Sequence, residues 1–306
     1  MGRPIMGLTL RSARVATGLH ATWQSVAWLG AAAGIFEKRG VAMTFPAHAV
    51  GGPEAAEGLV RGDWEFAHTG AVPVAEQVLR GRDVVIIATP TCHFASTFVM
   101  TRAGIDDLAK LDGKKVGIVT ETGQTSVAAR LAIGKAGAKA TYVALHGFDR
   151  VFMALASGEI EAGALPIDAR RKGQRQFGWS AFSLNEFGTP SVLATDRELV
   201  STVMQGFVEA IHAFKTRPDV IVPLLRRYLA IEDEEASELH ASYVPLFQRV
   251  PRPSLPGFPQ LCEHLLATFP NAKSLRPVDV SDQSLIDELD RTGFIDSLYA
   301  DASYGK

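Results

Sequence analysis

DGKKVGIVTETGQTSVAARLAIGKA, residues 112–136, is the stretch from which the fold can be read. Val116 to Val119 is an apolar run long enough to cross a sheet, and it stops at a polar cluster extending from Thr120 to Ser126. From Ser126 the residues are good helix formers, with Val127, Leu131 and Ala132 on one face. Lys135 in the last turn and Gly137 after it mark the end. A strand, a glycine-containing polar turn and a helix leave the helix's first N–H groups without internal partners, pointing at whatever fills the turn. The stretch therefore reads either as a pocket for an anion or strong acceptor, or as a helix capped by its own Thr122 or Thr125. It lacks both the phosphate-loop spacing and the dinucleotide glycine pattern, so a whole nucleotide is not expected there.

Towards the amino terminus the same alternation repeats. Leu8 to Val15 reads as a strand, Ser25 to Glu37 as a helix, Val41 to Phe45 as a strand, and Glu54 to Val60 as a short helix after the Gly51-Gly52-Pro53 break. Trp64 to Ala67 is the next strand, ending at His68-Thr69-Gly70; a helix over Val72 to Leu79 and an apolar strand over Val84 to Ala88 follow. Towards the carboxyl terminus Tyr142 to Leu145 is a strand, Arg150 to Ala156 a helix, and Ser157 to Pro166 a turn and strand. Strand, helix and strand in repetition predict an α/β fold with mostly parallel sheets flanked by helices. Gly158-Glu159-Ile160-Glu161-Ala162 echoes Gly62-Asp63-Trp64-Glu65-Phe66-Ala67, so the chain builds one kind of unit twice. Each unit delivers its loop at the carboxyl end of a strand, where open α/β sheets bind ligands. Beyond Ser191 to Thr195, Glu198 to Thr216, Pro218 to Leu229, Asp233 to Tyr243, Pro259 to Thr268 and Asp282 to Leu289 read as helices, interrupted by a proline-rich connector from Val250.

With 306 residues the chain can bury a large core, and two lobes are expected rather than one. A net charge of −2 from evenly mixed acids and bases offers no basic face, so nucleic acid is not expected as a partner. Val26 to Phe36, the longest apolar run, falls short of the roughly 20 residues a membrane span needs. Cys92 and Cys262 are far apart and the eight histidines are scattered, so neither a zinc site nor a disulfide framework is expected, and no motif implies a cofactor. The first residues carry a charge but no apolar core of a secretory signal. The expectation is a protein working outside the membrane if a leader was removed, and in the cytoplasm otherwise.

Trp28-Leu29-Gly30 and Gly34-Ile35-Phe36-Glu37-Lys38-Arg39-Gly40-Val41, then Gly62 to Ala67, Asp107-Leu108 with Leu111 to Gly117, Leu155 to Ala162, and Gly293-Phe294-Ile295 occur in an order that spans nearly the whole chain. In these pieces the chain resembles the NMT1/THI5-like substrate-binding proteins of ABC importers, of the aliphatic sulfonate, taurine and nitrate type, which have the type II periplasmic-binding-protein fold. The resemblance implies two lobes joined by crossings near Phe98 to Arg102 and Ser191 to Thr195. Lobe one would comprise 8–98 and 193–306, the helical carboxyl-terminal extension packing on it, and lobe two 99–192. It further implies a small-molecule ligand, anionic or planar heteroaromatic, held between the lobes without turnover, and a permease as partner. Cytoplasmic enzymes share this fold, so a decarboxylase or pyrimidine-precursor enzyme is the alternative.

The loops placed at the cleft by this resemblance nominate Thr17, His20, Trp23, His68, Thr69, Gly70, Thr91 and His93 from lobe one. Lobe two contributes Glu121, Thr122, Gly123, Gln124, Thr125, Pro166 and Asp168. Three histidines at strand ends read either as structural side chains or as ligand donors, and with Cys92 and Glu121 they would furnish the acid, base and nucleophile of an enzyme. Trp23 either stacks on a planar ligand or packs in the core. Arg170 and Arg171 either pair with a carboxylate or are solvated. Glu121 is awkward for an anion site, since it repels an anion unless it is protonated or faces away.

Overall fold

The computed structural model describes residues 10–17, 22–46, 51–91, 97–184, 190–194, 197–255 and 257–300. Two five-stranded mixed sheets organise it. The first has the order β2-β1-β3-β10-β4, from Arg11–Thr17 (β1), Val41–Thr44 (β2), Phe66–Gly70 (β3), Val85–Ala88 (β4) and Pro190–Ala194 (β10). The second has the order β7-β6-β8-β5-β9, from Thr97–Thr101 (β5), Lys115–Ile118 (β6), Thr141–Ala144 (β7), Ala162–Pro166 (β8) and Ser180–Ser183 (β9). In each sheet one strand runs against the other four: β10 is antiparallel to β3 and β4, and β5 to β8 and β9. These two reversed strands are where the chain enters the second sheet and returns to the first.

Helices connect the strands: Ser25–Ala32 (α1), Ile35–Lys38 (α2), Gly52–Arg61 (α3), Ala71–Leu79 (α4), Gln124–Lys135 (α5), Phe148–Ser157 (α6) and Ile167–Phe177 (α7). After β10 the chain is helical: Arg197–Thr216 (α8), Pro218–Leu229 (α9), Asp233–Tyr243 (α10), Phe258–Leu265 (α11), Pro277–Val280 (α12), Ser284–Arg291 (α13) and Phe294–Ala300 (α14). Residues of α8, α9, α13 and α14 pack with α1 and α2 on one face of the first sheet, while α11 and α12 join α3 and α4 on the other. The second sheet lies between α5 on one face and α6 and α7 on the other. Among the described residues no helix is long and apolar enough to cross a membrane.

The echo between Gly62–Ala67 and Gly158–Ala162 is structural. Gly62 and Gly158 end α3 and α6 with φ of 80° and 82°, a left-handed turn that glycine adopts without strain. Three residues on, Glu65 exchanges hydrogen bonds with the Arg14 backbone: Arg14 N–H donates to its carboxylate (2.7 Å) and its own N–H donates to Arg14 O (3.1 Å). Glu161 does the same with Lys115, at 3.0 Å in both directions.

Several boundaries differ from the sequence reading, each for a local reason. The helix expected over Ser25 to Glu37 is two helices, because Gly34 between them is left-handed at φ 71°. β3 runs through His68, Thr69 and Gly70, which read as a turn; all three pair with β10, and His68 with β1 as well, which keeps them extended. Pro166 to Arg170 is the end of β8 and the first turn of α7 rather than a loop. α5 starts at Gln124, two residues ahead of Ser126.

Candidate functional site

Helices α1, α3, α4 and α5 each follow a parallel strand and start near the line where the two sheets face one another. Their N-cap residues are Gln24, Gly51, Gly70 and Gly123, and none provides a side-chain cap. The helix starts therefore present backbone amides and the positive ends of their dipoles. Trp23 and Gln24, Gly51 and Gly52, Thr69 and Gly70, and the run from Gly123 to Ser126 line a single small cavity of about 40 Å³, closed by Val119, Thr120 and Phe148. No described residue lining it carries a charged side chain.

Two hydroxyls stand out in that lining. Thr69 Oγ1 and Ser126 Oγ belong to side chains 1% exposed and have no hydrogen-bond partner among the described residues. Leaving a buried hydroxyl unmatched costs about 1–3 kcal/mol, so each is poised for an acceptor. Glycine permits the close approach of the two halves here. A Cβ added at Gly51 would lie 2.8 Å from Thr120 Cγ2, and one at Gly70 only 2.1 Å from Gln124 Cβ.

Two polar contacts tie the halves together beside the cavity. Val72 N–H, near the start of α4, donates to Gln124 Oε1 at 3.1 Å. On the other flank Asp168, in the first turn of α7, accepts from Thr22 N–H (3.0 Å), Thr22 Oγ1 (2.7 Å) and Tyr243 OH (2.8 Å). Burial pushes the Asp168 carboxyl above the usual carboxylate range, and those three donors oppose the shift. Outside Asp168 lies a larger and more open groove of about 590 Å³, with Arg170, Arg171, Lys172 and Arg175 on the α7 wall and Glu232, Glu234, Glu235 and Glu238 on the α10 side. It is roomier than the inner cavity and carries charges of both signs, of which Arg171 and Arg175 both pair with Glu238. Of these two, the inner cavity is the one lined by buried polar groups lacking partners among the described residues.

Residues 26–218, well over half of the chain, match the family model described as NMT1/THI5 like. The chain belongs to that family. Among solved structures, one from Bordetella bronchiseptica RB50 is similar with a TM-score of 0.76 at 14% identity, covering 92% of this chain and 97% of that one. The alkanesulfonate-binding protein SsuA of Xanthomonas axonopodis pv. citri, bound to MOPS, follows at 0.68 and 16%, covering 90% and 96%. The periplasmic aliphatic sulphonate binding protein SsuA of Escherichia coli gives 0.64 and 18%, covering 85% and 87%. These likenesses establish the periplasmic-binding-protein fold. No curated protein sequence matches the chain.

Within this member of the NMT1/THI5-like family the nominated residues separate into groups. Trp23, Thr69, Gly70, Gly123, Gln124 and Thr125 meet at the cavity. Thr17 and His68 are buried and paired in register on β1 and β3, but do not line it. The His68 ring packs edge-on against Trp23, with centroids 5.2 Å apart, and burial lowers its pKa to about 3, so it stays neutral. Thr91 is buried against Phe247, away from the cavity. Glu121 and Thr122 are exposed, and Glu121 is drawn off by an ion pair with Arg130, which removes the repulsion its carboxylate threatened. Asp168 joins the two halves beside the outer groove; Pro166 is the N-cap of its helix. His20, Cys92 and His93 lie outside the described residues. Of the enzyme-like constellation, the described members His68 and Glu121 are not together, one inside the first sheet's core and the other on the surface.

Gln24, Gly51, Gly52, Val119, Thr120, Ser126 and Phe148 line the cavity without having been nominated one by one, and Tyr243 completes the Asp168 contact. A signal existed for two of them, Gly51 and Gly52. Gly51-Gly52-Pro53 reads as a break, but proline within the first turn, as here at the start of α3, is a mark of a helix amino terminus.

Proposed function

We propose that the chain is the substrate-binding protein of an ABC importer, with lobes at 8–98 plus 193–306 and at 99–192 closing on a small oxyanion of the sulfonate, carboxylate or nitrate class. It works with a membrane permease on the periplasmic or outer side, and releases its ligand unaltered. The observation that carries this reading is the uncharged cavity where the α3, α4 and α5 helix starts converge around the unmatched hydroxyls of Thr69 and Ser126. An anion there would be held by neutral donors, each hydrogen bond to the charged group giving a net roughly 1.5–3 kcal/mol. Three or four such bonds suffice for micromolar capture, about 8 kcal/mol. The alkanesulfonate-binding character of the Xanthomonas and Escherichia relatives points to the same ligand chemistry. The small size of the cavity favours a compact anion over a planar heteroaromatic ligand.

Titration calorimetry against methanesulfonate, nitrate, acetate and benzoate tests it, with recovery of the bound compound by mass spectrometry. At least one anion is expected to bind at micromolar concentration and to come back unchanged; recovery of an altered compound, or silence across the panel, would reject the reading. Ser126→Ala and Thr69→Val should each weaken binding about tenfold while leaving thermal stability equal or slightly higher, since each removes a buried hydroxyl that the fold does not use. A structural role for these hydroxyls would lower stability instead.

A further inference from the structure

Gln124 stands in an unusual position for the first residue of a helix. Its side chain leaves its own helix and reaches into the start of α4 on the other sheet, where its carbonyl oxygen accepts from Val72 N–H at 3.1 Å. α4 has no cap of its own, because Gly70 carries no side chain. The space at Gly70 is taken by Gln124: a Cβ there would lie 2.1 Å from Gln124 Cβ, 2.8 Å from Cγ and 3.3 Å from Oε1. Gln124 is 6% exposed, and the unmatched hydroxyls of Thr69 and Ser126 line the same cavity on either side.

A carboxamide can exchange roles at such a place, presenting either a carbonyl acceptor or two N–H donors. At the positive end of a helix its carbonyl is a weak acceptor, and a full negative charge in the same spot is favoured. An oxyanion gains more from Val72 N–H than the carboxamide does, and once displaced the carboxamide can turn its NH₂ towards that anion. A neutral ligand has no such advantage and must compete with an acceptor that is already tethered.

We infer that Gln124 is the selectivity stopper of the anion site assigned above: its carbonyl holds the α4 amide until an oxyanion displaces it, so neutral analogues of the ligand are refused. The inference rests on the anion-binding reading of the cavity. It also commits to a property of the protein alone, namely that the position beside Val72 N–H favours negative charge.

The test uses Gln124→Glu and Gln124→Ala, with methanesulfonate and its neutral analogue methanesulfonamide as probes. Glutamate at this position is a tethered anion between two helix starts. Without ligand it should raise the melting temperature by about 2 °C or more. The sign follows from a carboxyl pKa lowered in the fold: the gain is present above about pH 4.3 and is lost as the pH falls through the lowered value. The same variant should bind methanesulfonate at least a hundredfold more weakly at pH 7. Gln124→Ala should narrow the preference for methanesulfonate over methanesulfonamide at least tenfold. Should no anion bind even the unsubstituted protein, the functional reading fails, and the ligand-free melting profile of Gln124→Glu still judges this position. A profile identical to that of the unsubstituted protein at every pH overturns the inference, as does undiminished methanesulfonate binding by Gln124→Glu. Misfolding of the glutamate variant, seen as a lowered melting temperature at pH 7, also counts against it.

Discussion

The starts of α4 and α7 occupy corresponding places in the two halves and do opposite things. Each follows a five-residue strand buried along its whole length, and each places its second residue at the contact between halves. In the first half that residue is Val72, whose backbone N–H donates across to Gln124. In the second it is Asp168, whose carboxylate accepts across from Thr22 and Tyr243. A carboxylate in the first turn answers the positive end of its own helix, and a glycine cap leaves that end unanswered. One architecture used twice thus yields a helix start kept free of charge on one side of the cleft and a clasp on the other. On the proposed function, the difference teaches that closure and anion recognition would fall to different copies of the same unit.

The change expected to damage this division most is Gly70→Ala. At the corresponding cap the second half already carries the ring of Pro166, whereas at Gly70 any Cβ would fall within 2.1 Å of Gln124 Cβ. Neither atom is at the end of a flexible chain, so α4 and α5 must move apart. Overpacking of this kind costs about 1–3 kcal/mol. Anion affinity should fall roughly tenfold to a hundredfold, with a larger radius of gyration by X-ray scattering in the presence of ligand. Tight binding with an unchanged radius would show that the halves need not touch here.

Asp168 comes next. Asp168→Ala leaves the donors of Thr22 and Tyr243 without their shared acceptor, and since water can reach part of this contact the expected loss is about 1–2 kcal/mol, read as about tenfold weaker affinity. Asp168→Asn sharpens the comparison, because it keeps an acceptor but cannot ionise. The carboxyl pKa is raised by burial, so its stabilising contribution is fully present below about pH 3.8 and is lost as the pH rises through the raised value. Relative to the unsubstituted protein, Asp168→Asn should therefore be more stable at pH 7 than at pH 4, as measured by denaturant melts. The reverse trend would mean that the three donors outweigh burial and that the clasp is strongest when charged.

Much of this division was legible in the chain, and what was not has physical causes. The repeated glycine, acid and apolar pattern at Gly62 and Gly158 foretold two like units, because a left-handed helix end and a glutamate tied to the neighbouring strand are local demands. The turn before α5 reads as a helix start for the same reason, and α5 does begin there, at Gln124. α7 is hard to read as a helix because, of its own residues, only Gly173 is buried and most of the rest are charged or polar. His68-Thr69-Gly70 has turn composition, and it is pairing with β10, joined by β1 at His68, that holds it straight. For Glu121, sequence distance does not show that Arg130, two turns along the helix, pairs with its carboxylate. The partnership of Asp168 with Tyr243 joins residues 75 apart in the chain, which local pattern does not reach.

The smallest effect is expected farthest from the clasp, in the charged groove between α7 and α10. There Arg171 and Arg175, with side chains 50% and 65% exposed, reach Glu238, itself 27% exposed. Exposed ion pairs of this kind contribute about 0–1 kcal/mol and are screened over roughly 10 Å at 0.1 M salt. Glu238→Gln should accordingly change anion affinity by less than about threefold at physiological ionic strength, by more at about 10 mM, and not at all near 0.5 M. The loss caused by Asp168→Ala should persist at the higher salt concentration, because its partners are hydrogen-bond donors rather than distant charges. Calorimetry on both variants across that salt range separates the two. If Glu238→Gln proved the more damaging, the halves would be drawn together by opposite charges along their rim, and Asp168 would be a passenger of that attraction rather than the clasp.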